Sequence, residues 1–309
     1  KYQTFAERLS PLPGVQQVAA CMQVPSEEIR DVGPVLVTGV NDDPDEAPIM
    51  DVQVVDPNFA DLMGLKFLAG EDQSRPRSQD AYPEFTEEHT LADYLIKVPR
   101  TYVINETAMK QLGWASPEEA IGQNISWSIG ELQLASGPVT GVVQDFHQET
   151  LKNKVDPTVL VYEPIWLRTF LVKVGTQNVS QTIAHIQEVW DTLYPEYPLE
   201  YHFLDDLFNQ LYTRERVQLQ LLSIFSGLAI FIAFLGLFSL IAYSLKTRMR
   251  ELAIRKVLGA DLIALIRLIS REYLLVMVIG GVIAIPLSYL AVTRWLQSFA
   301  YRIDVSLLW

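Results

Sequence analysis

Two long segments without a charged residue constrain this chain more than any other feature. Leu221–Leu245 is 25 residues long and Tyr273–Thr293 is 21 residues long, and a helix needs about 20 apolar residues to cross a bilayer. Both segments are apolar on every side, unlike an amphipathic surface helix. Gly280, Gly281 and Pro286 fall inside the second segment, where membrane helices tolerate them. The pattern predicts two transmembrane helices rather than buried core helices.

The net charge of −13 is divided unevenly along the chain. Residues 1–213 carry 13 Lys and Arg against 32 Asp and Glu, whereas residues 214–309 carry 11 against 5. An acidic part joined to a basic, apolar part indicates two environments. The acidic part lacks the basic footprint of a nucleic-acid-binding protein, so no nucleic-acid partner is expected. Cys21 is the only cysteine, which excludes a disulfide within the chain.

The basic residues predict how the chain is oriented in the membrane. The connector 246–272 holds seven Lys and Arg, and the tail after Thr293 holds two. Because positive loops stay in the cytoplasm, we expect a cytoplasmic connector and a soluble domain outside, which is the periplasm of a double-membrane bacterium. Lys1–Ser10 has no apolar core and is not a signal peptide. We therefore expect the chain to be a fragment of a longer protein.

Residues 1–203 alternate short strand and helix patterns, which predicts an α+β domain of two lobes with mixed sheets. Asn105 and Ser116 are placed to cap helices, and Val179–Leu193 has an amphipathic pattern. Tyr201–Phe203 is typical of a last strand. Residues 71–97 are polar and aperiodic, which predicts a long surface loop.

A long helix is expected to connect the soluble domain to the membrane. No proline occurs from Leu204 to Leu245, so the pattern predicts an unbroken stalk that enters the first span. The helix at Asp261–Glu272 leaves two alternatives, an interfacial amphipathic helix or an inner extension of the second span. The chain then divides into six segments, namely a soluble domain 1–203, a stalk 204–220, a transmembrane helix 221–245, the connector 246–272, a transmembrane helix 273–293 and a tail 294–309 that stops before a further span.

Four motifs resemble the MacB/FtsX-type ABC-transporter permeases. The most specific is RELAIRKVLGA at Arg250–Ala260, between the two spans. The soluble domain adds three more in the family's order: VVDPNFADLMGLKFLAG at 54–70, VINETAMKQLGW at 103–114 followed by AIGQNI at 120–125, and VTGVVQDFHQETL at 139–151. Each motif alone is weak, but their order over about two thirds of the chain is specific.

The resemblance implies a fold and a set of partners. The family has one span, a two-lobed periplasmic domain and three further spans, so a multi-pass protein of the bacterial inner membrane is expected, with two spans outside this chain. The family works as a homodimer, or as a pseudo-dimer with a second permease unit. A periplasmic adaptor or outer-membrane partner is also implied. The chain has no P-loop motif, so ATP is expected to bind a separate ABC ATPase subunit and no cofactor is expected here.

The resemblance also assigns a role to the connector. Its charge alone predicts a positive flank that attracts anionic lipid. The family match instead implies a coupling helix that docks on the ATPase, with basic groups for acidic partners and apolar anchors. Glu251 and Arg255 are spaced to pair across one helical turn. The expected coupling residues are Arg248, Arg250, Glu251, Leu252, Ile254, Arg255, Lys256, Val257, Leu258 and Gly259.

The sequence offers little support for chemistry. Asp145 and His147 flank Phe146, but neighbouring strand residues point to opposite faces, so a turn or cap is expected there. No nucleophile motif occurs, and neither span holds an ionisable Asp, Glu, Lys or Arg for ion coupling. We expect a non-enzymatic permease subunit that transmits ATP-driven motion for export or extraction. The alternative is an FtsX-like signalling protein that activates a periplasmic partner without transport.

Overall fold

The computed structural model describes residues 2–40, 43–72, 90–129, 132–148, 153–259 and 261–296. They form two compact units. One comprises residues 1–150 and 154–208, and the other comprises 151–153 and 209–309. The first unit contains all of the strands described, and the second contains the two longest helices.

Ten strands and ten helices are described. The strands are β1 (Val15–Cys21), β2 (Val32–Val37), β3 (Ile49–Val54), β4 (Phe67–Gly70), β5 (Tyr102–Asn105), β6 (Asn124–Ile129), β7 (Leu132–Gln133), β8 (Gly137–Val143), β9 (Thr158–Val161) and β10 (Thr169–Val174). The helices are α1 (Tyr2–Leu9), α2 (Phe59–Leu62), α3 (Leu91–Lys97), α4 (Glu106–Gln111), α5 (Pro117–Ala120), α6 (Val179–Leu193), α7 (Leu204–Leu211), α8 (Thr213–Thr247), α9 (Met249–Val257) and α10 (Leu262–Leu296). A 3₁₀ turn covers Pro164–Trp166.

Eight strands form one mixed sheet in the order β4-β8-β5-β9-β3-β2-β6-β7. The pairs β3–β9 and β5–β8 are parallel, and the other pairs are antiparallel. A further antiparallel pairing joins β6 to β8, so the strands from β8 round to β6 close into a ring. β5 and β9 are buried along their whole length, as expected for strands covered on both faces.

The main core fills this closed sheet. It is built from Val, Ile and Met side chains of the central strands together with Tyr102 and Trp127, which are 0% and 1% exposed. Asn105 caps α4 by accepting from the Ala108 amide at 2.8 Å. Ser116 caps α5 by accepting from the Glu119 amide at 3.3 Å. Both predicted caps are confirmed, and they hold α4 and α5 against the sheet.

A second sheet of two strands pairs β1 with β10 in antiparallel fashion. Helices α1 and α6 cover it, and Phe5 is the centre of their contact. Its ring lies 4.5 Å from that of Phe170 and 5.3 Å from that of Trp190. The predicted bounds of α6 are confirmed. The α+β class with mixed sheets is confirmed, but the two-lobe division stays a prediction because the domain clusters as one unit.

Three sequence expectations for local structure are wrong. Leu91–Lys97 is a helix and not part of a loop, with Thr90 and Asp93 forming a capping box and Leu95 fully buried; residues 73–89 of that predicted loop lie outside the described residues. Tyr201–Phe203 forms no strand and pairs with none of the strands described. The helix expected from Leu204 is interrupted at Tyr212, whose amide bonds to the Asn209 carbonyl three residues back.

Candidate functional site

Among the residues that the structure describes, two helices are long and apolar enough to cross a membrane. The qualifying stretches are Arg216–Thr247 within α8, with a mean hydropathy of 2.5, and Tyr273–Leu296 within α10, with a mean hydropathy of 2.4. They agree with the two segments found in the sequence. Ser223 and Thr293 donate to carbonyls of their own helices at 2.8 Å, so these hydroxyls are satisfied locally. Such bonding fits an apolar surrounding, in which unpaired polar groups are costly.

Helix α10 bears on the two alternatives for residues 261–272. It runs from Leu262 to Leu296 without interruption, so the basic segment continues directly into the second candidate span, which favours an inner extension over a separate interfacial helix. Tyr273 donates its hydroxyl to the Leu240 carbonyl of α8 at 3.1 Å. This hydrogen bond joins the two long helices next to the connector.

The connector between α8 and α10 is mainly a nine-residue helix, α9. It begins after Arg248, whose φ of −98° and ψ of 12° depart from helical values. It ends before Leu258 and Gly259, and Gly259 has a φ of +94°, a conformation that favours glycine. Ala260, the last residue of the predicted motif, lies outside the described residues. Seven of the ten predicted coupling residues therefore lie in a separate helix, and Arg248, Leu258 and Gly259 lie at the joints on either side of it.

The predicted ion pair of the connector is present. Arg255 Nη2 lies 2.6 Å from Glu251 Oε1, one helical turn apart, with both side chains about half exposed. An acid that precedes a base by four residues is the favourable order on a helix. The pair occupies one side of α9 and supports the helix in water.

The other side of α9 carries exposed apolar groups. At about 100° per residue, Met249, Ala253 and Val257 form one stripe, and Arg250, Ile254 and Leu258 form the next. All six are exposed, Val257 to 87% and Leu258 to 81%. We call these six residues the docking face. Within it Arg250 is the single charged residue.

The sequence analysis assigned most of this face but not all of it. Met249 and Ala253 were missed, although their spacing of eight and four residues from Val257 would have placed them on its stripe. Leu252 was expected to anchor a partner, but it is half-buried and lies away from the docking face. Lys256 is exposed and borders the docking face beside Met249.

The Asp145-Phe146-His147 segment has a structural role at the end of β8. Asp145 Oδ1 accepts from the Thr107 amide at 2.9 Å, and Oδ2 accepts from the Thr107 hydroxyl at 2.8 Å. Both bonds lie at the first turn of α4, where a carboxylate also interacts favourably with the helix dipole. The turn or cap expected from the sequence is confirmed.

A second feature of the soluble domain was not foreseen. A cavity of about 500 Å³ opens between the 22–31 loop, β6, β7 and the segment before β10. Trp127 and Trp166 both line it. Trp127 is 1% exposed and belongs to the main core, against which Trp166 packs. The residues lie far apart in sequence, so no local pattern could have connected them.

The described residues combine a folded acidic domain with two long apolar helices and a short basic helix between them, which is typical of a membrane protein. Residues 223–309 match the family model described as FtsX-like permease C-terminal. This region is similar to the FtsX-like permeases, and the family resemblance stated from the sequence is confirmed there. No curated protein matches the chain by sequence.

The soluble part has similar solved structures. One is the periplasmic region of MacB from Actinobacillus actinomycetemcomitans, with 15% identity, a TM-score of 0.36, and coverage of 68% of this chain and 82% of that one. Another is the extracellular domain of the noncanonic ABC-type transporter YknZ from Gram-positive bacteria. It has 11% identity, a TM-score of 0.37, and coverage of 62% of this chain and 83% of that one.

Proposed function

We propose that this chain is the membrane subunit of an ABC transporter that couples a cytoplasmic ATPase to an extracytoplasmic domain. The observation that carries the proposal is the docking face of α9, which exposes apolar groups between two helices able to span the membrane. The FtsX-like match of residues 223–309 supports the permease assignment. In this function the chain performs no covalent chemistry and the ATPase supplies the energy.

The chemistry of the docking face specifies what the ATPase must offer. Ile254, Val257 and Leu258 need an apolar cleft, since each buried aliphatic side chain contributes about 1.5–3 kcal/mol. Arg250 lies among them and needs an acidic group, because a buried guanidinium without a partner is costly. The complementary surface is a groove with apolar walls and a carboxylate near its centre.

The orientation follows from the same assignment. The connector lies in the cytoplasm with the ATPase, and the acidic domain lies on the periplasmic side of the inner membrane. Motion at α9 can reach the first span through the bonded joint at Arg248, and the second span across the turn at Gly259 and then along α10, which is continuous from Leu262 to Leu296. A second permease unit, as a homodimer or pseudo-dimer, completes the transporter, and a periplasmic adaptor or outer-membrane component is a further partner.

The test replaces one exposed valine by aspartate. Val257→Asp puts a charge on the docking face at a side chain that is 87% exposed, so the fold of this chain should not change. Val40→Asp is the matched control, because Val40 is 81% exposed and belongs to the soluble domain. The full-length protein is purified from its native membrane, and the co-purified ATPase is measured by mass spectrometry and by ATP hydrolysis.

We expect the ATPase to co-purify with the wild-type protein and with the Val40→Asp control. With Val257→Asp, the amount of co-purified ATPase should fall at least about tenfold. This follows from losing one apolar anchor of about 1.5 kcal/mol or more. Unchanged ATPase recovery with Val257→Asp would remove the docking face from the proposed function. Recovery of a periplasmic hydrolase without substrate movement would instead support the signalling alternative.

A charge-reversal pair separates docking from helix stability. Arg255→Glu alone breaks the ion pair with Glu251. It therefore destabilises α9 and also changes the charge at position 255. The swap of Glu251→Arg with Arg255→Glu restores a pair at the same spacing. Docking that is lost in the single variant and regained in the swap would show that α9 stability, and not the position of each charge, is what matters.

A further inference from the structure

The first turns of α10 carry two arginines on one face. Arg267 and Arg271 are four residues apart, so they lie about 40° apart around the helix and about 6 Å apart along its axis. Both side chains are exposed. Leu265 is 8% exposed and marks the covered side of this segment, and the arginines lie about 200° and 240° around the helix from it. They therefore occupy the side of α10 that is turned away from its protein contacts.

The two guanidinium groups lack a partner among the residues that the structure describes. Within those residues, neither group forms an ion pair, a side-chain hydrogen bond or a ring contact. In the connector, by contrast, Arg255 is paired with Glu251. Like charges one helical turn apart destabilise a helix, so an anion bound by both arginines would remove their repulsion.

The same face continues into the second candidate span. Leu274 and Val278 lie within about 20° of Arg267 around the helix and are 58% and 61% exposed. The face therefore changes from cationic to apolar within one helical turn after Arg271. An anionic phospholipid has its groups in the same order, a charged phosphate followed by acyl chains.

The arginines lie at the depth of lipid headgroups. The candidate span begins at Tyr273, so Arg271 is about 3 Å and Arg267 about 9 Å outside it along the axis. A bilayer of about 40–45 Å with a hydrocarbon core of about 30 Å leaves a headgroup layer of roughly 5–8 Å on each side. The two arginines bracket that layer, and their long side chains extend the charge toward the phosphates.

We propose that Arg267 and Arg271 bind the phosphate of an anionic phospholipid in the leaflet on the connector side of the membrane, with its acyl chains along Leu274 and Val278. The planar guanidinium group matches two phosphate oxygens at once. A zwitterionic lipid carries its own cation, which competes with arginine for the same phosphate. Inorganic phosphate offers the same oxygens but no acyl chain for the apolar part of the face.

This lipid site is separate from the docking face of α9. It does not depend on the proposed coupling to an ATPase, and it requires only that the second candidate span lies in a membrane. Loss of the ATPase and loss of the lipid are measured independently, so the failure of one proposal leaves the other standing.

The first experiment compares headgroups on the wild-type protein. The full-length protein is purified in a non-ionic detergent, and native mass spectrometry follows its titration with phosphatidylglycerol or with phosphatidylcholine of the same acyl chains. We expect at least about fivefold tighter binding of phosphatidylglycerol, the effect of about one charge at a lipid surface. An excess of glycerol 3-phosphate or of inorganic phosphate should not displace the lipid, because neither covers Leu274 and Val278.

The second experiment removes the charges. Arg267→Gln with Arg271→Gln should weaken phosphatidylglycerol at least about tenfold, since each basic group near a lipid surface contributes about a factor of five. Lys246→Gln is the control, because Lys246 is an exposed basic residue of the same connector at the end of α8. It should leave the affinity almost unchanged. Recovery from the membrane fraction and a single size-exclusion peak verify that each variant is inserted and folded.

Each outcome decides for or against the site. Preference for phosphatidylglycerol with a loss confined to the arginine variant supports it. Equal binding of phosphatidylcholine overturns recognition of the anionic headgroup, and displacement by inorganic phosphate overturns the lipid as the occupant. A loss in Lys246→Gln as large as that in Arg271→Gln alone means diffuse attraction to the whole connector and overturns a site at the two arginines. If the double variant does not insert, the two single arginine variants, each expected to lose about fivefold, replace it.

Discussion

Neutralising Glu163 should destabilise the soluble domain strongly. Glu163 forms an ion pair with Arg100, and both side chains are 0% exposed. Arg100 also donates to the Leu95 and Val98 carbonyls at 2.5 and 2.8 Å, and Tyr94 donates its hydroxyl to Glu163 at 3.1 Å. The pair therefore ties helix α3 to the sheet at the ends of β5 and β9.

The size of the effect follows from burial. Breaking a buried ion pair by removing one partner costs about 3–5 kcal/mol, because a charge is left uncompensated. Glu163→Gln keeps an oxygen that can accept from Tyr94, so we expect the lower end, about 3 kcal/mol. Arg100→Met with Glu163→Gln removes both charges. That double variant should cost at least about 1 kcal/mol less than the sum of the two single variants.

Native-state hydrogen exchange of the full chain measures this prediction. Peptides that cover β5 and β9 report the free energy of opening in each variant. Glu106→Gln is the control, since it breaks the exposed pair with Lys110, and exposed pairs contribute little. A change below about 1 kcal/mol in Glu163→Gln would refute the reasoning, and strict additivity in the double variant would show that the two charges do not interact.

Three further predictions use the same structure. Gly137→Ala should lower the thermal unfolding midpoint, because its Cβ would lie 2.0 Å from the Arg100 carbonyl oxygen. Gly175→Ala is the control and should leave the midpoint almost unchanged, because the nearest atom to its Cβ is 3.6 Å away. Burial raises the pKa of Cys21 to about 12, so at pH 8 roughly one thiol in ten thousand is a thiolate and a maleimide should label it only after denaturation; rapid labelling of native protein would contradict this. Val257→Cys should react with a membrane-impermeant maleimide in inverted vesicles but not in right-side-out ones, and the opposite result would reverse the predicted orientation.

Local chemistry accounts for what the sequence predicted correctly. The caps at Asn105 and Ser116 depend on residues within three positions, and the Glu251–Arg255 pair depends on a spacing of four. The two spans follow from length and apolarity alone. In each case the information lies within a few turns of the chain, so pattern reasoning was sufficient.

Contacts between residues distant in sequence account for the features that the sequence did not predict. Helix α3 has no clear apolar period, and its burial depends on Leu95, whose carbonyl accepts from the Ala135 amide at 2.8 Å. The closure of the sheet through β6 and β8 depends on a register that is set by tertiary packing. Tyr201 and Phe203 alternate as in a strand, but their rings contact each other at 5.9 Å and no strand pairs with them.

The candidate site on α9 was also predictable from the sequence only in part. Its residue types and its place between the spans were predictable, whereas the exposure of each side chain was not. Leu252 and Val257 are both aliphatic residues of α9, yet one is half-buried and the other is almost fully exposed. No periodicity within nine residues can report that difference.

The two joints of α9 differ, and the difference bears on how force applied there would travel. At Arg248 the hydrogen bonds continue, since its amide donates to the Ser244 carbonyl and its carbonyl accepts from the Leu252 amide at 3.0 and 3.1 Å. At Gly259 the chain turns through a positive φ, which ends the helix. For the proposed coupling role, α9 is therefore joined to α8 by helical hydrogen bonds that continue through Arg248. Toward its N-terminus, α8 ends at the interruption at Tyr212. Load on the docking face would therefore reach Tyr212 through the bonded joint at Arg248 and one continuous helix. We expect the helix to bend first at Tyr212.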